Sequence, residues 1–112
     1  MTEPVPDPPN TDAGNISDLL YPLARESDNR FELWAALLRR IDARKVAEIG
    51  VYRGAFAAHL LGSCPGVETY YMIDPWRHLD DWNKPANRDD DTFQRFFEET
   101  IHNTRAHEGR RV

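Results

Sequence analysis

Val46-Ala47-Glu48-Ile49-Gly50-Val51-Tyr52-Arg53-Gly54, followed by Tyr70-Tyr71-Met72-Ile73-Asp74, is the stretch whose reading decides the fold. Lys45 to Ile49 reads as a strand, because β-branched Val46 and Ile49 bracket it and a glycine ends it. Ala55 to Leu61 reads as a helix beginning at Gly54. It stops at Gly62-Ser63-Cys64-Pro65-Gly66, since glycine and proline are the strongest helix terminators. Glu68 to Ile73, rich in Thr, Tyr and Ile, reads as a second strand. A helix between two such strands implies a parallel pair with a right-handed crossover. The expected class is α/β, Rossmann-like, with an acid at the tip of each strand: Glu48 and Asp74.

Upstream, Phe31, Trp34, Leu37, Leu38 and Ile41 recur at spacings of three and four, which predicts a helix over about 29–41 with one apolar stripe. Ser27 or Asp28 is placed to cap it, and Arg39 and Arg40 suit its C-terminal dipole. Ile16 to Leu23 reads as a short helix broken at Pro22. Four of the eight prolines fall in the first nine residues. Proline fixes φ and lacks an N–H, so residues 1–15 read as a disordered tail and 16–112 as the domain. Downstream, Pro75 to Arg88 shows no periodicity, and connections of that length are usually functional or mobile. Asp90 to about His107 is the last helix, with Phe93, Phe96, Phe97 and Ile101 as a core stripe and three aspartates favouring its N-terminus. Arg110-Arg111-Val112 reads as the opening of a third strand.

Bulk properties exclude several classes. A chain of 112 residues holds one domain at most. The net charge of −5 is the wrong sign for a nucleic-acid partner or an anionic membrane surface. No apolar run approaches the roughly 20 residues of a membrane span, and the N-terminus has no signal-peptide pattern. Cys64 is alone and forms no intrachain disulfide. The cytoplasm is the expected compartment, where the sequon Asn15-Ile16-Ser17 has no meaning.

The glycine turn carries the chemistry. Gly50 and Gly54 allow unusual backbone angles and close approach of a ligand. The open amides near Gly54 to Ala57 offer donors and a partial positive charge. Asp74 lies beside the turn, where a carboxylate accepts hydrogen bonds from a ribose diol. A dinucleotide fingerprint needs glycine at the positions held by Tyr52 and Ala55, and a P-loop needs Gly-Lys at Ala55-Phe56. Both fail. Bulky Tyr52 argues for a ligand without a pyrophosphate.

Glu48-Ile49-Gly50-Val51-Tyr52-Arg53-Gly54 resembles the first motif of class I S-adenosylmethionine-dependent methyltransferases, acid-x-Gly-x-x-x-Gly. The aromatic and basic residues between the glycines are similar to the small-molecule enzymes grouped as methyltransferase domain 24. So is Tyr71-Met72-Ile73-Asp74-Pro75-Trp76-Arg77 with Leu79 to Asn87. The resemblance covers roughly residues 30 to 112. It implies a Rossmann-like methyltransferase fold and S-adenosylmethionine as cofactor. Glu48 would lie near the methionine amino group, Gly50 and Gly54 under the cofactor, and Asp74 on the ribose. Tyr52 and Trp76 would flank it. Family members continue through further strands that carry the acceptor site and any base or metal ligands. The expectation is therefore a domain truncated after its second strand and last helix, inactive or weakly active alone, with catalytic residues and methyl acceptor unassigned.

Other readings stand beside this one. Asp74 before Pro75 also suits a plain turn. His59 reads as a packed or surface histidine, and His78, Asp80 and Asp81 as solvated charge rather than a metal site. Trp76 and Trp82 fit either a lid or a loop anchor. A nicotinamide-dependent oxidoreductase is one alternative function, against which the missing glycines weigh. A non-catalytic chain that pairs with itself or a complementing subunit through an exposed strand edge is the other.

Overall fold

A computed structural model describes residues 16–112; the tail expected over residues 1–15 lies outside the described residues. Helix α1 (Ile16–Glu26) runs through Pro22, where the sequence reading breaks it. An interior proline removes the bond to the carbonyl four residues back, here Asp18. Asp18 is exposed, so water can take that bond. At the other end Ser27 Oγ donates to the Leu23 carbonyl (2.7 Å). Helix α2 (Arg30–Arg40) is capped by Asn29, whose side chain accepts from Glu32 N. Neither Ser27 nor Asp28 takes that role. Glu32 in turn accepts from the amide of Asp28, one residue before the cap (2.9 Å), a bond displaced by one residue from that of a capping box.

Strand β1 (Lys45–Ile49), helix α3 (Ala55–Ser63) and strand β2 (Thr69–Ile73) form the expected unit. The strands pair in parallel from Lys45↔Thr69 to Ile49↔Ile73. That register ends them level, so Gly50 and Asp74 emerge at the same C-terminal end of the sheet. Helix α3 continues two residues past the expected stop. Gly62 is accommodated inside it, and Cys64 N bonds back to the Leu60 carbonyl. The third strand expected at Arg110 begins there. Tyr70 N donates to Arg110 O (2.7 Å), Val112 N to Tyr70 O (2.9 Å) and Met72 N to Val112 O (2.9 Å), a parallel bridge on the far side of β2. Strand β2 is thus central.

Arg110 does more than extend the sheet. Its guanidinium donates to the carbonyls of Leu61 (3.0 Å), Cys64 (2.7 Å) and Val67 (2.7 Å). The Leu61 carbonyl is one that the end of α3 leaves open, and the Cys64 carbonyl also accepts from Val67 N (3.0 Å) in the following turn. Arg111 likewise donates to the Ile101 carbonyl at the end of the last helix (2.7 Å).

The core is Ala35, Leu38, Ala57, Leu60, Leu61, Cys64, Val67 and Tyr70. It lies between α2, α3 and one face of the sheet. The other face bares Ala47, Ile49, Tyr71 and Ile73. The bonds of Arg44 O and Gly50 N to the β2 side fix the phase of β1. Lys45, Ala47 and Ile49 therefore turn their backbone groups outward. Among the described residues nothing pairs with that edge.

Helix α4 (Asp90–Asn103), capped by Asp89, ends before a 3₁₀ turn at Arg105–His107. Its aromatic stripe is not the core expected of it. Thr92 and Thr100 are its buried residues, Phe93 and Phe96 are half-buried, and Phe97 and Ile101 are exposed. The reason is proximity: α4 passes so near Gly54 that its Thr100 backbone sits against the glycine, and only a small residue fits there. No helix among the described residues is long and apolar enough to cross a membrane.

Candidate functional site

Two cavities open at the end of the strands, one on each side of the glycine turn. The first, about 1100 Å³, is bounded by the turn, Asp74 and the loop after β2, including Leu79, Asp80, Asp81 and Trp82. The second, about 730 Å³, lies along the free edge of β1 under α2. Glu48, Gly54, Arg30 and Trp34 line it. Ile49, Gly50 and Tyr52 line both. The turn is thus the saddle between them.

Gly50 and Gly54 share a left-handed φ of +86° but have different surroundings. A Cβ on Gly50 would meet nothing within 4 Å, whereas one on Gly54 would lie 2.7 Å from Thr100 Cα. Gly50 is where a ligand can approach bare backbone. Gly54 is required by helix packing, and it starts α3 without a side-chain cap. Tyr52 is 63% exposed and its ring stacks edge-on against Phe96 at 4.8 Å. Arg53 lines the second cavity while paired with Glu99, and its carbonyl is held by Asn103 (2.9 Å).

The two acids occupy different cavities. Asp74 Oδ1 accepts from Trp76 N (2.9 Å), so this carboxylate serves the turn while it lines the first cavity. Glu48 is half-buried, and Tyr70 Oη donates to its Oε1 at 2.8 Å. Burial raises the Glu48 pKa, while the Tyr70 hydrogen bond and the Arg30 charge pull it back and Asp74 adds to the rise. Burial, with the adjacent carboxylate, lifts the Tyr70 phenol well above the usual tyrosine range. Tyr70 is therefore the donor and Glu48 the acceptor.

Trp76 lines neither cavity. It takes a left-handed φ of +54° and packs edge-on against Phe97 at 5.4 Å. It anchors the loop, while Trp82 lines the first cavity. The loop from Pro75 to Arg88 is internally tied. Asn87 accepts from Leu79 N (3.0 Å) and donates to the carbonyls of Leu79 and Trp82, both at 2.7 Å. His78 N donates to Asp90 (2.7 Å), which fastens the loop to α4. His59 packs near Phe31 and lies 3.4 Å from Ser63 Oγ, and buried Cys64 lies against the Ala35 carbonyl.

The structure thus brings Gly50, Tyr52 and Asp74 to one cavity and Glu48, Gly50, Tyr52 and Gly54 to its neighbour. Sequence reasoning missed Tyr70, Arg30 and Asn87. Tyr70 reads only as a strand-forming residue and Arg30 as helix surface charge. Asn87 could have been singled out as a turn-forming side chain. No protein-family model matches this chain, and neither a curated protein nor a solved structure does.

Proposed function

We propose that this chain carries the S-adenosylmethionine site of a small-molecule methyltransferase, on a Rossmann-like arrangement of parallel strands. The observation that carries the reading is the saddle at Gly50, with Asp74 in one flanking cavity and Glu48 in the other. A ligand laid across it can reach Asp74 with its ribose and Glu48 with its ammonium group. Tyr52 stands where the dinucleotide fingerprint needs a glycine, which favours a nucleoside joined to a short cationic chain over a dinucleotide. The resemblance of Glu48 to Gly54 and of Tyr71 to Arg77 to the methyltransferase motifs supports the same ligand.

When bound, the cofactor supplies an electrophilic methyl group that passes to an acceptor as the carbon–sulfur bond breaks. The residues of this chain hold and orient. Asp74 takes the ribose hydroxyls, Glu48 the ammonium, and Gly50 leaves room for the chain between them. Alignment of this kind contributes the entropic part of such catalysis. No acceptor base is assigned.

Calorimetry with S-adenosylhomocysteine tests the reading. Asp74→Asn is the variant of choice, because an amide oxygen keeps the bond to Trp76 N while the charge is lost. Binding in the native chain, weakened in this variant, supports the proposal. Absence of heat, or binding indifferent to Asp74, counts against it. The unpaired edge of β1 favours a second reading, a subunit that adds a strand from another chain. Sedimentation that gives a monomer at all concentrations, alone and with candidate partners, counts against that one.

A further inference from the structure

The outer edge of β1 meets no strand among the described residues, and its free groups come in a fixed phase. Arg44 O and Gly50 N bond toward β2, so Lys45, Ala47 and Ile49 hold their N–H and C=O groups outward. Ala47 stands in the middle of the three. A two-fold axis through Ala47 sets Ala47 against Ala47 of a second copy and Lys45 against its Ile49, and both groups of all three residues find partners. An axis at Val46 would instead call on Ala43, whose amide already bonds to the Leu38 carbonyl (2.9 Å). An axis at Glu48 would call on Val51, past the left-handed Gly50 that ends the strand.

The same register matches the side chains. Ala47 and Ile49 lie on the open face, level with Tyr71 and Ile73 of β2. The two small alanines meet at the axis, so nothing there keeps the backbones apart. Lys45 of the second copy lies against Ile49. Ile49 and Ile73 in turn line the first cavity, together with Asp74, Asp80 and Asp81. Lys45 is exposed, and no carboxylate is within ion-pair distance of it among the described residues. Its stem can cover Ile49 while its ammonium reaches the acidic rim beyond. On the inner face the second cavity runs along the same edge and has room for Val46 of the second copy.

We propose that β1 pairs antiparallel with β1 of a second copy about Ala47, and that Lys45 of each copy completes the acidic rim of the other's first cavity. This rests on the strand-addition reading of the edge, whose occupant it names, and it needs no cofactor. The sheet then runs unbroken through both copies, and neither leaves its β1 edge exposed.

Sedimentation equilibrium and amide hydrogen exchange on the whole chain test the pairing together. A dimer should form as concentration rises, and the outward amides of Lys45, Ala47 and Ile49 should become protected in step with it. Ile49→Lys sets lysine against lysine at two places in each dimer, so the dissociation constant should rise about tenfold, while the dilute monomer keeps its stability. Adding Lys45→Glu to that variant restores opposite charges across the axis and should bring the dimer back. A dimer in which the three amides stay unprotected overturns the pairing, as does one indifferent to Ile49→Lys or not restored by Lys45→Glu. A chain that is monomeric at every concentration overturns it too. A synthetic peptide of residues 43–51 then separates the two readings. Protection of the three amides by the peptide leaves strand addition standing with another occupant, and no protection overturns both.

Discussion

Replacing each glycine of the turn with alanine separates what the backbone requires from what packing requires. Gly50 and Gly54 both sit at φ +86°. An alanine at either bears the left-handed penalty, about 1–2 kcal/mol. At Gly50 the new methyl group meets nothing within 4 Å, so the penalty ends there. At Gly54 it lies 2.7 Å from Thr100 Cα, 3.0 Å from Cγ2 and 3.1 Å from Cβ. Carbon atoms pack comfortably at about 3.5–4.0 Å, so α4 must retreat by roughly 1 Å. The nearest atom is backbone, and no rotamer relieves it. Overpacking of this kind adds about 1–3 kcal/mol, for a total of about 2–5 kcal/mol. Small domains hold only about 5–15 kcal/mol. Urea denaturation followed by circular dichroism measures the series. Gly54→Ala should lose at least about 1 kcal/mol more than Gly50→Ala. Adding Thr100→Ala should return little of it, because the clash with the α4 backbone persists whatever side chain stands at that position. Equal losses at the two glycines, or full rescue by Thr100→Ala, would refute the packing argument.

Three further outcomes are expected. Arg110→Ala leaves three carbonyls without their charged donor and should cost about 3 kcal/mol in a thermal or urea melt, with Arg110→Lys recovering only a small part. Glu48 faces Tyr70, Arg30 and Asp74, and burial holds its folded-state pKa above the unfolded value. The folded form therefore binds more protons in that window, so Glu48 makes stability fall as pH rises from the ordinary glutamate value through the raised one. Glu48→Gln should flatten that decline in denaturation curves taken across the acid range; an unchanged slope contradicts the assignment. Ile49→Lys, at a residue 82% exposed on the open face of the sheet, should shift stability by no more than about 0.5 kcal/mol, and a large loss would mean that this face is covered.

How far the sequence carries the fold varies with the kind of signal. Strand β1 is legible to the residue, because Gly50 ends it sharply and Val46 and Ile49 mark it. The opening of a third strand at Arg110 is also legible, although three residues hold no periodicity. Helix α1 is misread at Pro22, since a rule about helix interiors weakens where the orphaned carbonyl reaches water. The α2 cap is misplaced because Ser27, Asp28 and Asn29 are all competent caps, and backbone angles, invisible in sequence, choose the last. The Phe stripe of α4 has the periodicity of a core face and does not form one. Helix α4 instead turns its threonines toward α3, a consequence of how near Gly54 lets it come. At the site, the acids and Gly50 are read from spacing. The cavity partners Arg30 and Tyr70 are not, because they lie on separate elements that only the fold brings beside Glu48.

The reach of Arg110 back to Leu61, Cys64 and Val67 spans 43 to 49 residues of chain. On a ribosome this sets a delay. Strand β2 and the end of α3 emerge about 40 residues before the segment that closes them, which at about 5–20 residues per second is roughly 2–8 s. Throughout that interval β2 lacks one neighbour and the turn after α3 lacks its donor. The nascent chain is then most open to capture by chaperones or to pairing with the wrong strand, and the arrival of one arginine ends both exposures together.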